Sequence, residues 1–278
     1  MRLQELQEQL DLQENLLGIR HKIVVLSGKG GVGKSSVAAN LAVSLSLQGY
    51  KTGLLDVDLH GPSIPTLLGL KGLLTPSDRN RIEPVAYNAN LKVMSVGLLL
   101  KDQYEAVIWR GPVKHGFIKQ LLAAVEWDAL DYLIVDCPPG TGDEPLSVIQ
   151  LLEGADGAII VTTPQDVALS DVRKSVTFCR QLKLPIIGVV ENMSGFVCPH
   201  CGEGVDIFKS GGGENMADEM NVPFLVRIPL DPAMVSAGDA GEPFVKHQSA
   251  SPTAKAFDKI VTTVTARCNP DRLTAQKG

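Results

Sequence analysis

The amino-acid sequence predicts an α/β protein with a doubly wound, mostly parallel β-sheet and helices on both faces. Two observations lead to this fold class. Short apolar runs alternate with longer stretches of helical periodicity over most of the 278 residues. The apolar runs also lack a polar face, as expected of strands in a parallel sheet that helices cover on both sides. Such alternation is typical of doubly wound sheets.

The segment 1–20 predicts an amphipathic helix, with Gly18 as its stop signal. Four leucines recur at helical spacing: Leu3, Leu6, Leu10 and Leu17. We expect this leucine face to pack on the rest of the chain. Contact with a second chain or another partner is the alternative.

The strand–helix alternation begins after this first helix. Strands are predicted at 21–26, 52–56, 91–96, 132–136, 158–162 and 186–190. Helices are predicted at 34–47, 113–125, 166–182 and 253–266. No linker or internal repeat interrupts the pattern. We therefore expect one domain over 21–267, followed by a flexible polar tail over 268–278.

The composition is that of an ordinary globular protein and excludes several functional classes. A net charge of −5 argues against broad nonspecific nucleic-acid binding, which needs a basic surface. No apolar run approaches the roughly 20 residues that span a bilayer. The first residues are too polar and acidic for a signal peptide. We expect a cytoplasmic protein without nucleic-acid or membrane partners, whose five cysteines are reduced.

A phosphate-binding loop is predicted at 28–35, where "GKGGVGKS" fits G-x-x-x-x-G-K-[ST] between a predicted strand and a predicted helix. In such loops, glycines let backbone N–H groups surround phosphates, and the helix N-terminus adds positive potential. We expect Lys34 to reach the β- and γ-phosphates and Ser35 to bind Mg²⁺. The expected nucleotide contacts are Gly28, Gly30, Gly31, Val32, Gly33, Lys34, Ser35 and Ser36.

Carboxylates are expected beside this loop. Asp136 closes the strand "YLIVD" before a Pro-Pro-Gly turn, which is the Walker-B arrangement of a P-loop NTPase with a loop able to sense a γ-phosphate. A second strand, "LLDVD", supplies Asp56 and Asp58, either of which could orient the attacking water. For Asp58, a helix-cap or turn role is the alternative.

The nucleotide base is predicted to be adenine. A GTPase normally carries an N-K-x-D run after a later strand, and this chain has Glu-Asn-Met-Ser at 191–194. The guanine-reading aspartate is missing, so ATP is favoured. Asn192 remains able to bond the edge of a purine.

A metal site is predicted at Cys198 and Cys201, which have C-x-x-C spacing. A turn can bring two thiolates onto one metal. Zinc sites and [4Fe–4S] clusters generally take four ligands, however, and no second C-x-x-C exists. His200 is a possible third ligand, although a turn role suits it better. A twofold dimer completes the site most simply, with one metal centre per dimer.

Three other interpretations of the cysteine pair stay open: a zinc knuckle, a redox dithiol and two unrelated buried thiols. Only six positions separate Asn192 from Cys198. A shift of this segment on nucleotide binding could therefore move the thiolates.

Seven segments taken together resemble the Mrp/Nbp (ApbC-like) iron–sulfur cluster carrier ATPases of the deviant Walker-A class. They are "GKGGVGKSS", "DVDLHGPSIP", "WRGP", "DYLIVDCPPGTGDE", "ENMSGFVCPHCG", "GGGE" and "IPLDP". The resemblance covers about 21–266. It implies a homodimer that binds ATP and Mg²⁺, hydrolyses ATP slowly, and holds a labile [4Fe–4S] cluster. It also implies cluster-loading machinery and apo iron–sulfur proteins as partners.

The same resemblance implies roles for individual residues. Lys29 crosses the dimer interface to the partner's phosphates, Asp58 positions the attacking water and Asp136 lies near Mg²⁺. Asn192, Pro229 and Asp231 form the pocket for the nucleotide base. Cys198 and Cys201 bind the cluster between the two subunits. Two features of some family members are not expected here, because no cysteine precedes Cys137 and about twenty residues precede the core: an N-terminal four-cysteine motif and a small extra N-terminal domain. "WRGP" is either a docking surface or a structural turn.

Two other functions compete with the carrier. A Min- or Par-type positioning ATPase would bind a membrane or DNA, but the end of the chain lacks an apolar helix face and the surface is not basic. An ATPase with a structural zinc at its dimer interface differs from the carrier only in its metal.

Overall fold

An eight-stranded β-sheet forms the centre of the computed structural model, which describes residues 2–71, 74, 81–99, 111–198, 200–247 and 250–269. The strands are β1 (Ile19–Ser27), β2 (Thr52–Asp56), β3 (Val85–Asn88), β4 (Leu91–Ser95), β5 (Leu130–Asp136), β6 (Gly157–Thr162), β7 (Ile186–Glu191), β8 (Phe196–Val197), β9 (Gly204–Val205) and β10 (Phe224–Arg227). The sheet order is β10-β7-β6-β1-β5-β2-β4-β3, and β8 pairs with β9 in a separate hairpin. All neighbours in the sheet are parallel except β3 and β4.

Helices cover both faces of the sheet. They are α1 (Arg2–Leu17), α2 (Lys34–Leu47), α3 (Ile64–Leu67), α4 (Gly111–Ala124), α5 (Asp143–Leu151), α6 (Asp166–Gln181), α7 (Gly212–Glu219), α8 (Pro232–Asp239), α9 (Phe244–His247) and α10 (Pro252–Cys268). One apolar core lies beneath α1, α4, α5, α6 and α7. The other lies beneath α2, α3, α9 and α10. The predicted fold class is confirmed.

The predicted elements agree closely with the observed ones. All six predicted strands are present, as are the helices predicted at 34–47, 113–125, 166–182 and 253–266, and no end of these differs by more than two residues. The helix predicted within 1–20 is also present, as α1. The sequence missed the short edge strands β3 and β10, whose four residues offer too little periodicity to detect. Cys268, which was assigned to the tail, is the last residue of α10. Residues 270–278 and 109–110 of the "WRGP" segment lie outside the described residues.

The packing face of α1 was predicted wrongly. Leu6 and Leu10 are about half exposed (56% and 47%), and Leu17 is 85% exposed, while the side chain of Leu3 lies outside the description. The helix instead packs through Leu12 and Leu16, on the opposite side. Buried Asn15 reinforces this contact because its Nδ2 donates to the carbonyl oxygen of Leu122 at 3.0 Å, near the C-terminus of α4. The last carbonyl groups of a helix have no partner within it, and Asn15 supplies a donor to those of α4 when this side of α1 faces α4. The spacing of the leucines alone does not reveal this requirement.

The candidate site lies at the carboxyl ends of the central strands. The carboxyl ends of β1, β5 and β2 lie side by side, and Asp56 is directly opposite Asp136 in the β2–β5 register. Ligands of open α/β sheets bind at this edge.

Among the described residues, no helix has the length and apolar character needed to cross a bilayer.

Candidate nucleotide and metal sites

The loop between β1 and α2 has the geometry of a phosphate cradle. Gly31 and Gly33 have φ of +80° and +81°, a region that favours glycine. A Cβ on Gly33 would also lie 2.2 Å from Nδ2 of Asn192. A Cβ on Gly28 would lie 2.4 Å from the backbone of Asp171 in α6. Close packing on two sides thus fixes the path of the loop.

Lys34 and Asp136 form a buried ion pair at the floor of this loop. Their Nζ and Oδ1 atoms are 2.5 Å apart, and Nζ also lies 3.3 Å from Oγ of Ser35. Burial lowers the pKa of Lys34, but the negative charges of Asp136, Asp58 and Asp56 outweigh it, so the pKa lies above its ordinary value. Burial raises the pKa of Asp136, and the charge of Lys34 opposes this rise. Oδ2 of Asp136 is buried without a hydrogen-bond partner among the described residues.

Asp56 and Asp58, which the sequence left as alternatives, occupy different environments. Asp56 is fully buried and bonds Oγ of Ser95 at 2.8 Å. Burial, and then the charge of Asp136, raise the pKa of Asp56 to about 8. Asp58 instead lines the phosphate cavity, where its Oδ1 accepts the N–H groups of His60 and Gly61 at 3.2 Å. Asp58 therefore has the turn role that was the alternative for it and also has access to the cavity.

Two adjoining cavities, each of about 270 Å³, extend from the loop. The first is lined mostly by polar residues and glycines, and its lining includes Lys29, Lys34, Ser35, Asp58 and Pro139. The second is more apolar, and its lining includes Asn192, Pro229, Asp231, Met234 and Val235. Gly33, Ser36, Ser63 and Leu67 line both. A compartment at the phosphate loop that adjoins a more apolar compartment suits a nucleotide, whose phosphates are charged and whose base is flat and mostly apolar.

Asn192, Pro229 and Asp231, which were expected to contact the nucleotide base, all line the apolar cavity. Asn192 and Asp231 also make hydrogen bonds that connect parts of the fold. Nδ2 of Asn192 donates to the carbonyl oxygen of Val32 at 2.9 Å, which ties the segment after β7 to the phosphate loop. Asp231 is the N-cap of α8 and also accepts a bond from Thr253 at 2.8 Å.

Lys29, the second lysine of the loop, is half-buried at the rim of the phosphate cavity. Its carbonyl oxygen accepts a hydrogen bond from Ser27 at 3.0 Å. Within the described ranges, its ammonium group has no hydrogen-bond or ion-pair partner. Its charge is therefore available to a ligand or to another chain.

Glu191 is a functional candidate that the sequence analysis missed. This buried carboxylate ends β7, directly before Asn192. One oxygen accepts bonds from Ser194 Oγ at 2.5 Å and from the N–H of Gly211 at 2.8 Å, and the other accepts the N–H of Gly213. Glu191 thereby fastens both ends of the segment that carries the cysteine pair.

The glycine run at 211–213 explains how the backbone can approach this carboxylate. Gly211 has φ of +82°. A Cβ on Gly212 would lie 2.5 Å from the carbonyl oxygen of Pro164, and one on Gly213 would lie 2.9 Å from Oε2 of Glu191. The "GGGE" motif was the sequence signal that could have identified Glu191.

Cys198 and Cys201 lie in the turn of the β8–β9 hairpin. The N–H of Cys198 donates to the carbonyl oxygen of Glu203, and the N–H of Gly202 donates back to Cys198, both at 2.9 Å. Cys201 is exposed and Cys198 is partly exposed. The backbone N–H groups of Cys201 and His200 lower the pKa of Cys198, which favours the thiolate form that binds metals.

The other cysteines do not complete this hairpin site. Cys137 and Cys179 are fully buried, and burial raises the pKa of both thiols, for Cys179 to about 12. Among the described residues, no third His, Cys, Asp or Glu groups with the hairpin thiols, so His200 is not placed as a ligand. One chain thus offers two thiols on an open surface.

Known proteins match most of the chain. An iron–sulfur cluster carrier protein of Methanocaldococcus jannaschii is 52% identical, over 86% of this chain and 82% of its own length. A cytosolic Fe–S cluster assembly factor NUBP2 homolog of Monosiga brevicollis is 48% identical, over 95% and 94%.

Solved structures match the fold as well. The nucleotide-binding protein of Archaeoglobus fulgidus, in complex with ADP and with Co found by PIXE, has a TM-score of 0.74 and 42% identity over 84% of this chain and 92% of that one. The cell division ATPase MinD of Pyrococcus furiosus has a TM-score of 0.64 and 27% identity over 88% and 98%. The model of the NUBPL iron-transfer P-loop NTPases, a ParA group, matches residues 18–265. The chain therefore belongs to the NUBPL iron-transfer P-loop NTPase family.

Proposed function

We propose that this protein is an ATP-hydrolysing carrier, which holds a [4Fe–4S] cluster between two copies of the chain and passes it to apo iron–sulfur proteins. The observation that supports it best is the union of two sites on one segment: Asn192 borders the nucleotide cavities and Cys198 lies on an exposed hairpin, with Glu191 fixing the segment between them. The names of the relatives, iron–sulfur cluster carrier and cytosolic assembly factor, favour the same cargo and a cytoplasmic location. These relatives favour the carrier over the positioning ATPases.

Nucleotide binding would rearrange the charges on the cavity floor. The phosphates would take Lys34 away from Asp136, because a triphosphate offers more negative charge than one carboxylate. The orphaned Oδ2 of Asp136 and the Ser35 hydroxyl, both beside Lys34, are hard oxygen ligands that suit Mg²⁺. Mg²⁺ would supply neutralisation of charge on the β- and γ-phosphates.

Hydrolysis would depend on Asp58 and Lys29. Asp58 lines the phosphate cavity and would orient the attacking water. Lys29 from a second chain would stabilise the charge that develops on the transferred phosphoryl group. Turnover would therefore be slow and limited by dimer formation.

Cluster binding would also need the dimer. Each chain supplies the Cys198 and Cys201 thiols, and two chains supply the four that a [4Fe–4S] cluster requires. The hairpin is exposed, so an acceptor protein can reach the cluster, and separation of the two chains would release it.

Anaerobic reconstitution with iron and sulfide tests the cargo. We expect about two iron and two sulfide per chain, and their loss in the Cys198→Ala/Cys201→Ala variant. Native mass and electron paramagnetic resonance separate one shared [4Fe–4S] cluster from a [2Fe–2S] cluster on each chain. Tightly held zinc at the hairpin, without cluster uptake, would identify an ATPase with a structural zinc instead.

A mixing experiment tests whether Lys29 acts across the dimer. Lys29→Gln and Lys34→Gln should each abolish hydrolysis. In a mixed dimer, however, the Lys34→Gln chain still offers Lys29 to the intact loop of its partner. We expect mixing to restore part of the activity; no recovery, with dimer exchange verified by mass, would assign Lys29 to its own nucleotide.

A further inference from the structure

A second cluster of metal-ligating side chains lies at the opposite edge of the sheet from the nucleotide cavities. His21 is near the start of β1, Asp156 immediately precedes β6, and Cys268 ends α10. One potential ligand atom from each lies within 4.8 Å of the others. Three elements distant in sequence thus bring an imidazole, a carboxylate and a thiol together.

Both ring nitrogens of His21 face oxygen atoms. Its Nδ1 faces Oδ1 of Asp156 at 2.9 Å, and its Nε2 faces Oδ1 of Asn269 at 3.3 Å. Asn269 directs its amide oxygen to the imidazole and its Nδ2 to the hydroxyl of Tyr132, at 2.9 Å. A neutral imidazole donates from only one nitrogen. If Nε2 donates to Asn269, Nδ1 needs either a second proton or a metal ion toward Asp156.

The surroundings resemble the outer shell of a metal site. The bond between Nε2 and Asn269 would fix the tautomer, as outer-shell partners of ligating histidines do. Oδ2 of Asp156 accepts the N–H of Lys22 at 2.7 Å, which orients the carboxylate. The His21 ring packs on Tyr132 with 5.2 Å between centroids. Asp156 and Cys268 are only partly buried, so a water can occupy a fourth position.

We propose that His21, Asp156 and Cys268 bind one divalent transition-metal ion of the zinc class. One nitrogen, one oxygen and one sulfur ligand suit zinc, whose tetrahedral sites accept all three and leave a position for water. The ion would fasten the end of α10 to β1 and to the start of β6. It would be separate from any metal on the hairpin, and it would add one zinc per chain to an analysis of the whole protein.

The state of the thiol sets a limit on affinity. Burial, followed by the charge of Asp156, raises the pKa of Cys268 to about 12. A metal must therefore displace the thiol proton as the metal–sulfur bond forms. We expect the site to be weaker than a site made of several preformed thiolates.

Cobalt is the probe that tests this site, because Co²⁺ bound to thiolate gives a sulfur-to-metal charge-transfer band. The titration uses the Cys198→Ala/Cys201→Ala protein under reducing conditions, so that the hairpin cannot contribute. We expect one Co²⁺ per chain with this band, loss of the band on adding Cys268→Ala, and at least about tenfold weaker binding on adding Asp156→Asn. Asp131→Asn is the matched control, since Asp131 also accepts a backbone N–H but lies outside the cluster; it should bind normally.

Two results would overturn the proposal: no charge-transfer band in the hairpin variant, or a band that survives Cys268→Ala. Thermal unfolding with and without Zn²⁺ covers the case in which a variant folds poorly. Zn²⁺ should raise the unfolding midpoint of the hairpin variant and leave that of its Cys268→Ala derivative unchanged. Equal responses would show that the cluster is held by hydrogen bonds alone.

Discussion

Lys34 and Asp136 neutralise each other inside the protein, with 2.5 Å between Nζ and Oδ1 and almost no exposure of either side chain. The lysine that would meet the phosphates is therefore already paired with the carboxylate that would lie near Mg²⁺. In the proposed mechanism, nucleotide binding gives each of them a new partner. Because only Lys34 belongs to a buried ion pair, Lys34 and Lys29 should contribute differently to the free energy of unfolding.

Lys34→Gln should destabilise the fold, and Lys29→Gln should not. Removing Lys34 leaves a buried carboxylate without its cation, which costs about 3 kcal/mol. Lys29 has no side-chain partner among the described residues, so its loss should change the free energy of unfolding by less than about 0.5 kcal/mol. Urea unfolding measures both. Equal stabilities would mean that the Lys34–Asp136 pair adds nothing to the fold.

Asp56 should make the protein less stable as the pH rises. Its pKa is about 8 in the folded protein, against an ordinary value of 3.8. Between these values the folded state holds a proton that the unfolded state has released, so the free energy of unfolding falls with increasing pH. This penalty is absent below about pH 4 and grows until about pH 8.

Asp56→Asn removes the titrating group and should flatten this profile. The amide oxygen can still accept the N–H of Asp58 and the NH₂ group can donate to Ser95, while the longer contact with the N–H of Ile64, at 3.4 Å, is lost. Since each pKa unit corresponds to about 1.4 kcal/mol, the free energy of unfolding of the variant should fall by up to about 4 kcal/mol less between pH 5 and 8 than that of the wild type. Urea unfolding at several pH values gives the comparison. Asp258→Asn, at an exposed site on α10, should retain the native slope.

Gly33→Ala should be far more damaging than Gly30→Ala. At Gly33 the new Cβ would meet Asn192 at 2.2 Å, and φ of +81° is itself unfavourable for alanine. At Gly30 a Cβ meets no atom within 4 Å, and φ is not in the positive region. We expect a loss of at least about 1–3 kcal/mol for Gly33→Ala and little change for Gly30→Ala. Comparable unfolding midpoints would contradict the tight contact between the loop and Asn192.

Local patterns were sufficient to predict the central strands and the phosphate loop. Buried parallel strands are uniformly apolar, and the loop needs glycine, lysine and serine at fixed spacing. The face of α1 could not be predicted in this way, because the contact of Asn15 with the end of α4 joins positions more than a hundred residues apart. The leucines that suggested a packing face remained exposed instead.

In the candidate site too, local patterns predicted some residues, and long-range contacts determine the roles of others. Asp56 ends strand β2 and Asp58 follows it closely, and only the register of β2 beside β5 shows that Asp56 is buried against Asp136. Glu191 has no local motif, since its partners Gly211 and Gly213 lie about twenty residues further along the chain. Roles created by long-range backbone contacts were therefore the ones that sequence patterns missed.

Glu191→Gln should weaken both the fold and the link between the two sites. The carboxylate accepts hydrogen bonds on both oxygens, whereas glutamine must turn its NH₂ group toward Ser194 and Gly211 or toward Gly213. An N–H group facing another buried N–H costs about 1–3 kcal/mol. The cysteine hairpin would lose its fixed ends, so we expect faster release of a reconstituted cluster although Cys198 and Cys201 are intact.

Glu214→Gln is the matched control for this prediction. Glu214 follows the same glycine run, but its pair with Arg227 is exposed and should contribute less than about 1 kcal/mol. Urea unfolding measures stability, and the decay of cluster absorbance measures release, each with and without ATP. On the coupling argument, ATP changes the release rate of the wild type and of Glu214→Gln, and changes it less in Glu191→Gln. If Glu191→Gln is destabilised but keeps the full response to ATP, Glu191 supports only the fold, and coupling between the nucleotide and the cysteines must follow another route.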